Sequence, residues 1–165
     1  WNLSEKSLVI RARIDVGLFI CGVRHFRRFT AEREFRIKRN RRVFEVKITA
    51  TAIEKSEGGD FFKPGEGKVF VGVKFSIENI SEETLTISSI LLFNAYADDV
   101  KCDYSVNAVL AFSDGTLDGE LTSGKIMEGY YALEVPDDTK VVEIEFTSEW
   151  LNDSKAVFVL DVPQD

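Results

Sequence analysis

The stretch Val69-Phe70-Val71-Gly72-Val73-Lys74-Phe75-Ser76-Ile77, closing on Glu78-Asn79-Ile80-Ser81, decides the fold class. Val69, Val71, Val73, Phe75 and Ile77 alternate without a break. Successive side chains of a strand point to opposite faces, so this segment reads as a strand with one wholly apolar face. A helix would scatter the same five side chains around its circumference. Before it, Phe44, Val46, Ile48, Ala50 and Ala52 share one face of residues 43–53. Between the two strands, Ser56-Glu57-Gly58-Gly59-Asp60 and Lys63-Pro64-Gly65-Glu66-Gly67 supply the turn residues of a long loop.

The pattern continues toward the C-terminus. Residues 85–96 form an extended run that is apolar on both sides, as expected of a strand covered on both faces, and Asp98-Asp99 ends it. Residues 105–112 read as a short strand, and Tyr131, Leu133 and Val135 fall in register within 125–135. Val142, Ile144 and Phe146 alternate with Glu143 and Glu145, and Ala156, Phe158 and Leu160 form the last strand. From Val43 onward this gives about seven strands, punctuated by turns, with no amphipathic helix of convincing length. The expected fold is all-β, an antiparallel β-sandwich of immunoglobulin-like size.

Composition agrees with a folded body. The 165 residues are 44 % apolar and 30 % charged, able to bury a core. No run of about 18 apolar residues occurs, which excludes a transmembrane helix within them. The net charge of −7 is a sum over unlike parts. Residues 1–45 carry +7 and residues 46–165 carry −14, and no arginine follows Arg42. An acidic sandwich repels phosphate, so nucleic acid is not its expected partner. The break suggests two units: a basic N-terminal extension of uncertain structure, 1–42, and the sandwich, 43–165.

The extension opens at Trp1, while the only methionine is Met127, so the chain reads as a processed form or a fragment. Residues 8–20 alternate like a half-buried strand; 24–42 suit either a strand or a short helix. In that second stretch Phe26, Phe29 and Phe35 interleave with arginines, a texture open to nucleic-acid or anionic-membrane contact, and equally to a solvated or juxtamembrane arm. The apolar run Val16–Val23 compares with the end of a lipoprotein signal, but bulky Phe19 and Ile20 precede Cys21 where small residues belong. Cys21 and Cys102 could pair in an oxidising compartment; spacing leaves this open. Cys21 with His25 is too few ligands for a structural zinc site.

Chemistry is sparsely supplied. His25 is the one conventional base, and it lies in the extension, so a nucleophilic triad has no assembly in the sandwich. Paired carboxylates, Asp98 with Asp99 and Glu143 with Glu145, could do acid–base work, but adjacency in a turn and a wet strand face make solvated charges the simpler reading. Asp98, Asp99 and Asp103, with Asp114 and Asp118 beyond, are weak calcium candidates without EF-hand spacing. No cofactor is expected. Among the aromatics Phe61, Phe62, Tyr96, Tyr104, Tyr130, Tyr131 and Trp150, the adjacent Phe61-Phe62 in a Gly-rich loop is the first candidate for a partner-binding surface.

Ordered blocks in residues 78–160 carry a family resemblance. Glu78-Asn79-Ile80-Ser81-Glu82-Glu83, Ile87-Ser88-Ser89-Ile90, Ala95-Tyr96-Ala97-Asp98-Asp99, Gly115-Thr116-Leu117-Asp118-Gly119, Ser123-Gly124-Lys125, Gly129-Tyr130-Tyr131-Ala132 and Glu134-Val135-Pro136-Asp137 together resemble the telokin-like domain of unknown function of bacterial extracellular, immunoprotective-type proteins and lipoproteins. The resemblance spans 43–161 and implies an immunoglobulin-like sandwich in an exported, extracellular or cell-surface protein, usually tethered upstream by a lipid or a transmembrane helix. It brings no catalytic residues. The expectation is a non-catalytic interaction or adhesion module whose partner is a protein or a cell-envelope component. The alternatives are a carbohydrate or small-ligand binding module, or an accessory domain of an envelope enzyme.

Overall fold

The computed structural model describes residues 8–11, 19–21, 24–39, 42–112, 115–147 and 155–164, with side chains from Glu45 onward. Among these residues the chain forms twelve strands and two short helices. The strands are β1 (Leu8–Arg11), β2 (Phe19–Cys21), β3 (Arg24–Arg39), β4 (Arg42–Ser56), β5 (Lys68–Asn79), β6 (Leu85–Ile87), β7 (Phe93–Ala97), β8 (Val100–Cys102), β9 (Gly119–Leu121), β10 (Ile126–Pro136), β11 (Val141–Thr147) and β12 (Lys155–Asp161). The helices are α1 (Ser89–Leu92) and α2 (Val106–Ala111). One sheet has the order β1-β12-β11-β7-β8, the other β10-β5-β4-β3-β2, and β6 pairs with β9. Named strand pairs are antiparallel except β1 with β12.

The alternation in β5 sets the packing. Val69, Val71, Val73, Phe75 and Ile77 are all buried and face the other sheet's apolar side. The Phe75 ring lies 5.4 Å from Phe93 of β7 and 5.2 Å from Phe158 of β12, so one side chain bridges both layers. Tyr131 of β10 stacks on Phe93 at 5.1 Å. Val142, Ile144 and Phe146 of β11 complete this core. In β4 a bulge falls between Ala50 and Ala52, where the register against β5 shifts by one. The shift keeps Ile53 opposite inward Val73 and sets Glu54 opposite Gly72 on the outer face.

Two segments depart from the expected strands. Residues 105–112 are not extended: Ser105 caps α2, its hydroxyl accepting from Ala108 N at 3.2 Å. Ala108, Val109 and Phe112 are buried while Val106 and Leu110 are exposed, which is helical spacing hidden under an apparent alternation. Residues 85–96 split into β6, the single turn α1 and β7. The strands after residue 42 therefore number nine among the described residues, several of them short.

The basic segment is part of the second sheet. β3 pairs with β4 from Arg24↔Ser56 to Arg39↔Arg42, so the division drawn at 42/43 falls inside a hairpin. Its register also matches charge, with Glu34 opposite Lys47 and Arg36 opposite Glu45. A basic strand beside an acidic body is favourable pairing, which is why the change in charge does not mark a break in structure.

Candidate functional site

A second apolar cluster lies on the outer face of the second sheet. Phe70, Ala108, Val109, Phe112, Tyr130 and Ala132 bury one another, with α2 laid over β5 and β10. Phe112 stacks on Tyr130 at 5.1 Å, and the Tyr130 hydroxyl donates to buried Glu54 of β4. Gly72 makes room: a Cβ there would lie 2.7 Å from the Phe112 ring. This cluster anchors the loop between β4 and β5, because Phe62 packs against it.

The loop is tied down along its length. Ser56 Oγ accepts from Gly58 N (3.1 Å), Gly59 N donates to Phe62 O (2.8 Å), and Lys68 N donates to Gly65 O (3.0 Å). Gly58 has φ +82°, and a Cβ there would stand 2.1 Å from Phe62 O, so only glycine allows this turn. Glu134 of β10 accepts from Gly65 N and pairs with Lys68 Nζ, each at 3.3 Å. The turn after β10 is joined as well, through Asp137 N to Gly67 O (3.1 Å) and Lys55 Nζ to Asp137 O (3.3 Å).

The two phenylalanines divide at this loop. Phe62 turns inward, and Phe61 stands 91 % exposed. Beside them is a cavity of about 520 Å³ whose walls include Lys55, Lys63, Lys68, Glu57, Asp137 and Asp138. It mixes both signs of charge. The loop's turn residues were legible in the sequence, but the cavity was not, since its walls come from β4, the loop, β5 and the turn after β10.

The carboxylate candidates have other positions. Asp98 and Asp99 form the two-residue turn joining β7 to β8, both with positive φ (44° and 69°). The Asp98 carboxylate accepts from Lys140 N (3.1 Å) and Val141 N (3.0 Å), holding the start of β11. Asp118 accepts from Ser89 N (2.8 Å) and Ser89 Oγ (2.9 Å), fixing α1. Among the described residues no three His, Cys, Asp or Glu side chains, Asp103 included, converge to hold a metal ion. Asp114 lies outside the described residues. Glu145 pairs with Lys155, and that hydrogen bond raises the lysine's pKa; Glu143 sits between Tyr96 and Val159 in the ladder.

Cys102 is a free thiol whose pKa is pushed up chiefly by burial. β8 leads to Tyr104, which bridges Leu133 on β10, whereas Cys21 belongs to β2 at the opposite edge of that sheet. Four strand spacings separate those edges, about 19 Å, so the two cysteines do not meet. Tyr130 and Tyr131 are buried, and Tyr104 is half-buried against Tyr131, its pKa raised mainly by burial. Tyr96 is half-buried in β7; Trp150 and the side chains of Cys21, His25, Phe26, Phe29 and Phe35 lie outside what the structure describes.

Two facing sheets with a capped outer cluster define a β-sandwich domain. The chain belongs to the domain of unknown function family DUF4352, whose match covers residues 36–156 and so includes the last four residues of β3. Among solved structures it is similar to ycdA, a candidate lipoprotein from Bacillus subtilis subsp. subtilis strain 168, with a TM-score of 0.61, 16 % identity and 79 % of this chain covered. The chain spans 38 % of the length of that structure. A conserved hypothetical protein from Bacillus anthracis is similar over 80 % of this chain and 97 % of its own, with a TM-score of 0.51 and 15 % identity. No curated protein matches.

Proposed function

We propose that this chain is a non-catalytic interaction module of an exported bacterial protein, a telokin-like sandwich displayed at the cell surface. The observation that carries the proposal is Phe61. A ring 91 % exposed on a loop that hydrogen bonds and Phe62 hold in place is a pre-organised anchor, costing little entropy when a partner covers it. Similarity to the candidate lipoprotein ycdA supports an exported setting. The carboxylates weighed for acid–base chemistry support a non-catalytic reading, since Asp98 caps backbone amides and Glu145 pairs with Lys155.

The test uses the purified chain and washed envelope material from the cells that make it. Phe61→Ala is expected to lower retention about tenfold or more, as truncation of an aromatic anchor does, with the melting temperature unchanged. Phe62→Ala is expected to lower the melting temperature instead. Wild-type retention by Phe61→Ala would contradict the proposal.

The cavity favours a second reading, a small-ligand or carbohydrate module, because about 520 Å³ is within the range of ligand pockets. A thermal-shift screen of sugars and amino acids separates the two. A ligand whose stabilisation disappears in Lys63→Ala, with envelope retention indifferent to Phe61, assigns the module to the cavity.

A further inference from the structure

The cavity beside the anchored loop is walled by charge. Six of its nine wall residues are ionic, three lysines and three carboxylates, and none is aromatic. Val69 and Pro64 are the only apolar side chains of the nine. Pockets for small molecules are ordinarily apolar and aromatic with a few polar groups, so recognition here has to come from charge.

The opposite charges line the cavity without meeting. Lys68 is committed to Glu134 at 3.3 Å, and Lys55 Nζ donates to the Asp137 carbonyl at 3.3 Å. The Lys63 ammonium makes no ion pair or hydrogen bond with any described residue, although Glu57, Asp137 and Asp138 share its cavity. Those three carboxylates likewise accept no hydrogen bond from a described residue. The walls that carry them are fixed by their backbone. On the loop side Gly65 N is held by Glu134; in the turn after β10, Asp137 N donates to Gly67 O (3.1 Å) and Thr139 N to Pro136 O (3.2 Å). A cation on one wall and carboxylates on the other, kept from pairing by the frame, are complementary to a ligand that carries both signs.

We infer that this cavity binds a small zwitterion, an α-amino acid or a peptide of two or three residues, with its carboxylate at Lys63 and its ammonium at Asp137 and Asp138. The inference rests on the cavity reading given above and is independent of Phe61. A free anion such as phosphate would meet three carboxylates. A divalent metal finds no three acidic side chains converging among the described residues. An uncharged sugar would displace water from the charged groups without matching their charge. A zwitterion answers both signs, and a cavity of about 520 Å³ has room for one.

Isothermal titration calorimetry of the full chain with trialanine tests the inference. The free tripeptide should bind, and acetylating its amine or amidating its carboxylate should each weaken binding about tenfold or more, as the loss of a charged hydrogen-bond partner does. Lys63→Ala should bind the free and amidated peptides alike, and Lys63→Arg should restore the preference. Asp137→Asn with Asp138→Asn should remove the preference for a free amine. Lys101→Ala, at an exposed position elsewhere, should match the wild type, and the melting temperature of each variant confirms that it is folded. L-alanine is the second probe: binding as tight as that of trialanine assigns a free amino acid, and weaker binding assigns the peptide. Equal affinity for free and doubly capped trialanine, an unchanged carboxylate preference in Lys63→Ala, or no binding of either probe would overturn the inference. Binding of glucose that disappears in Lys63→Ala would overturn the zwitterion and leave the cavity a ligand site, whereas no binding of glucose or of either probe would remove the cavity reading as well.

Discussion

The two apolar clusters of this sandwich are built in different ways. The inter-sheet core is made by repetition: every second residue of β5, β10, β11 and β12 faces inward, and Phe75 touches rings from two strands of the other sheet. The outer cluster is made by exception. It needs a glycine at position 72, a six-residue helix capped by Ser105, and a bulge in β4 that delivers Glu54 to Tyr130. The first fixes the fold, and the second fixes the loop that presents Phe61. The inter-sheet core and the support of the proposed anchor, Phe61, are therefore built on opposite faces of the same sheet.

Phe75→Ala should show the largest effect, about 3–5 kcal/mol of lost stability in chemical denaturation, because the ring is fully buried between the layers. Tyr131 gives the core a pH signature. Burial, with Asp103, Cys102 and Tyr104 adding to it, pushes its pKa up to about 12. The folded state thus holds the phenol protonated while the unfolded chain ionises near pH ~10. That contribution is complete below pH ~10 and is lost as pH rises toward ~12, up to about 2–3 kcal/mol. Alkaline unfolding of Tyr131→Phe should therefore lose this part of its pH dependence.

In the outer cluster, Gly72→Ala should cost about 1–3 kcal/mol by overpacking against Phe112. In a Phe112→Ala background the same substitution should cost markedly less, and a double-mutant cycle measures the difference. If the two costs simply add, Gly72 and Phe112 are not the fitted pair described above. Phe61→Ala should be the smallest, within about 0.5 kcal/mol of the wild type, as for other surface substitutions.

The same division decides what the sequence reveals. Alternation exposes β5 and β11 directly, since each inward residue is apolar and each partner on the other face is mostly polar. Val106, Ala108 and Leu110 mimic that alternation, but the buried side chains are Ala108, Val109 and Phe112, and Ser105 as a cap is the signal that distinguishes the two. Phe61-Phe62 is visible as an unusual pair in a loop. Which ring faces out depends on the outer cluster, assembled from residues 70–132, and no local pattern contains it. The charge break at residue 42 lies inside the β3–β4 hairpin, since opposite charges favour pairing across a sheet as readily as separation into two parts.

The central claim, display at the cell surface, is tested most directly by treating intact cells that make the natural protein with a membrane-impermeant amine reagent. Lys63, on the anchored loop, is the lysine to follow by peptide mass spectrometry. Labelling of Lys63 in intact cells, to the extent seen in the purified protein and with a cytoplasmic marker unlabelled, is the predicted result. Labelling only after the cells are broken would contradict it.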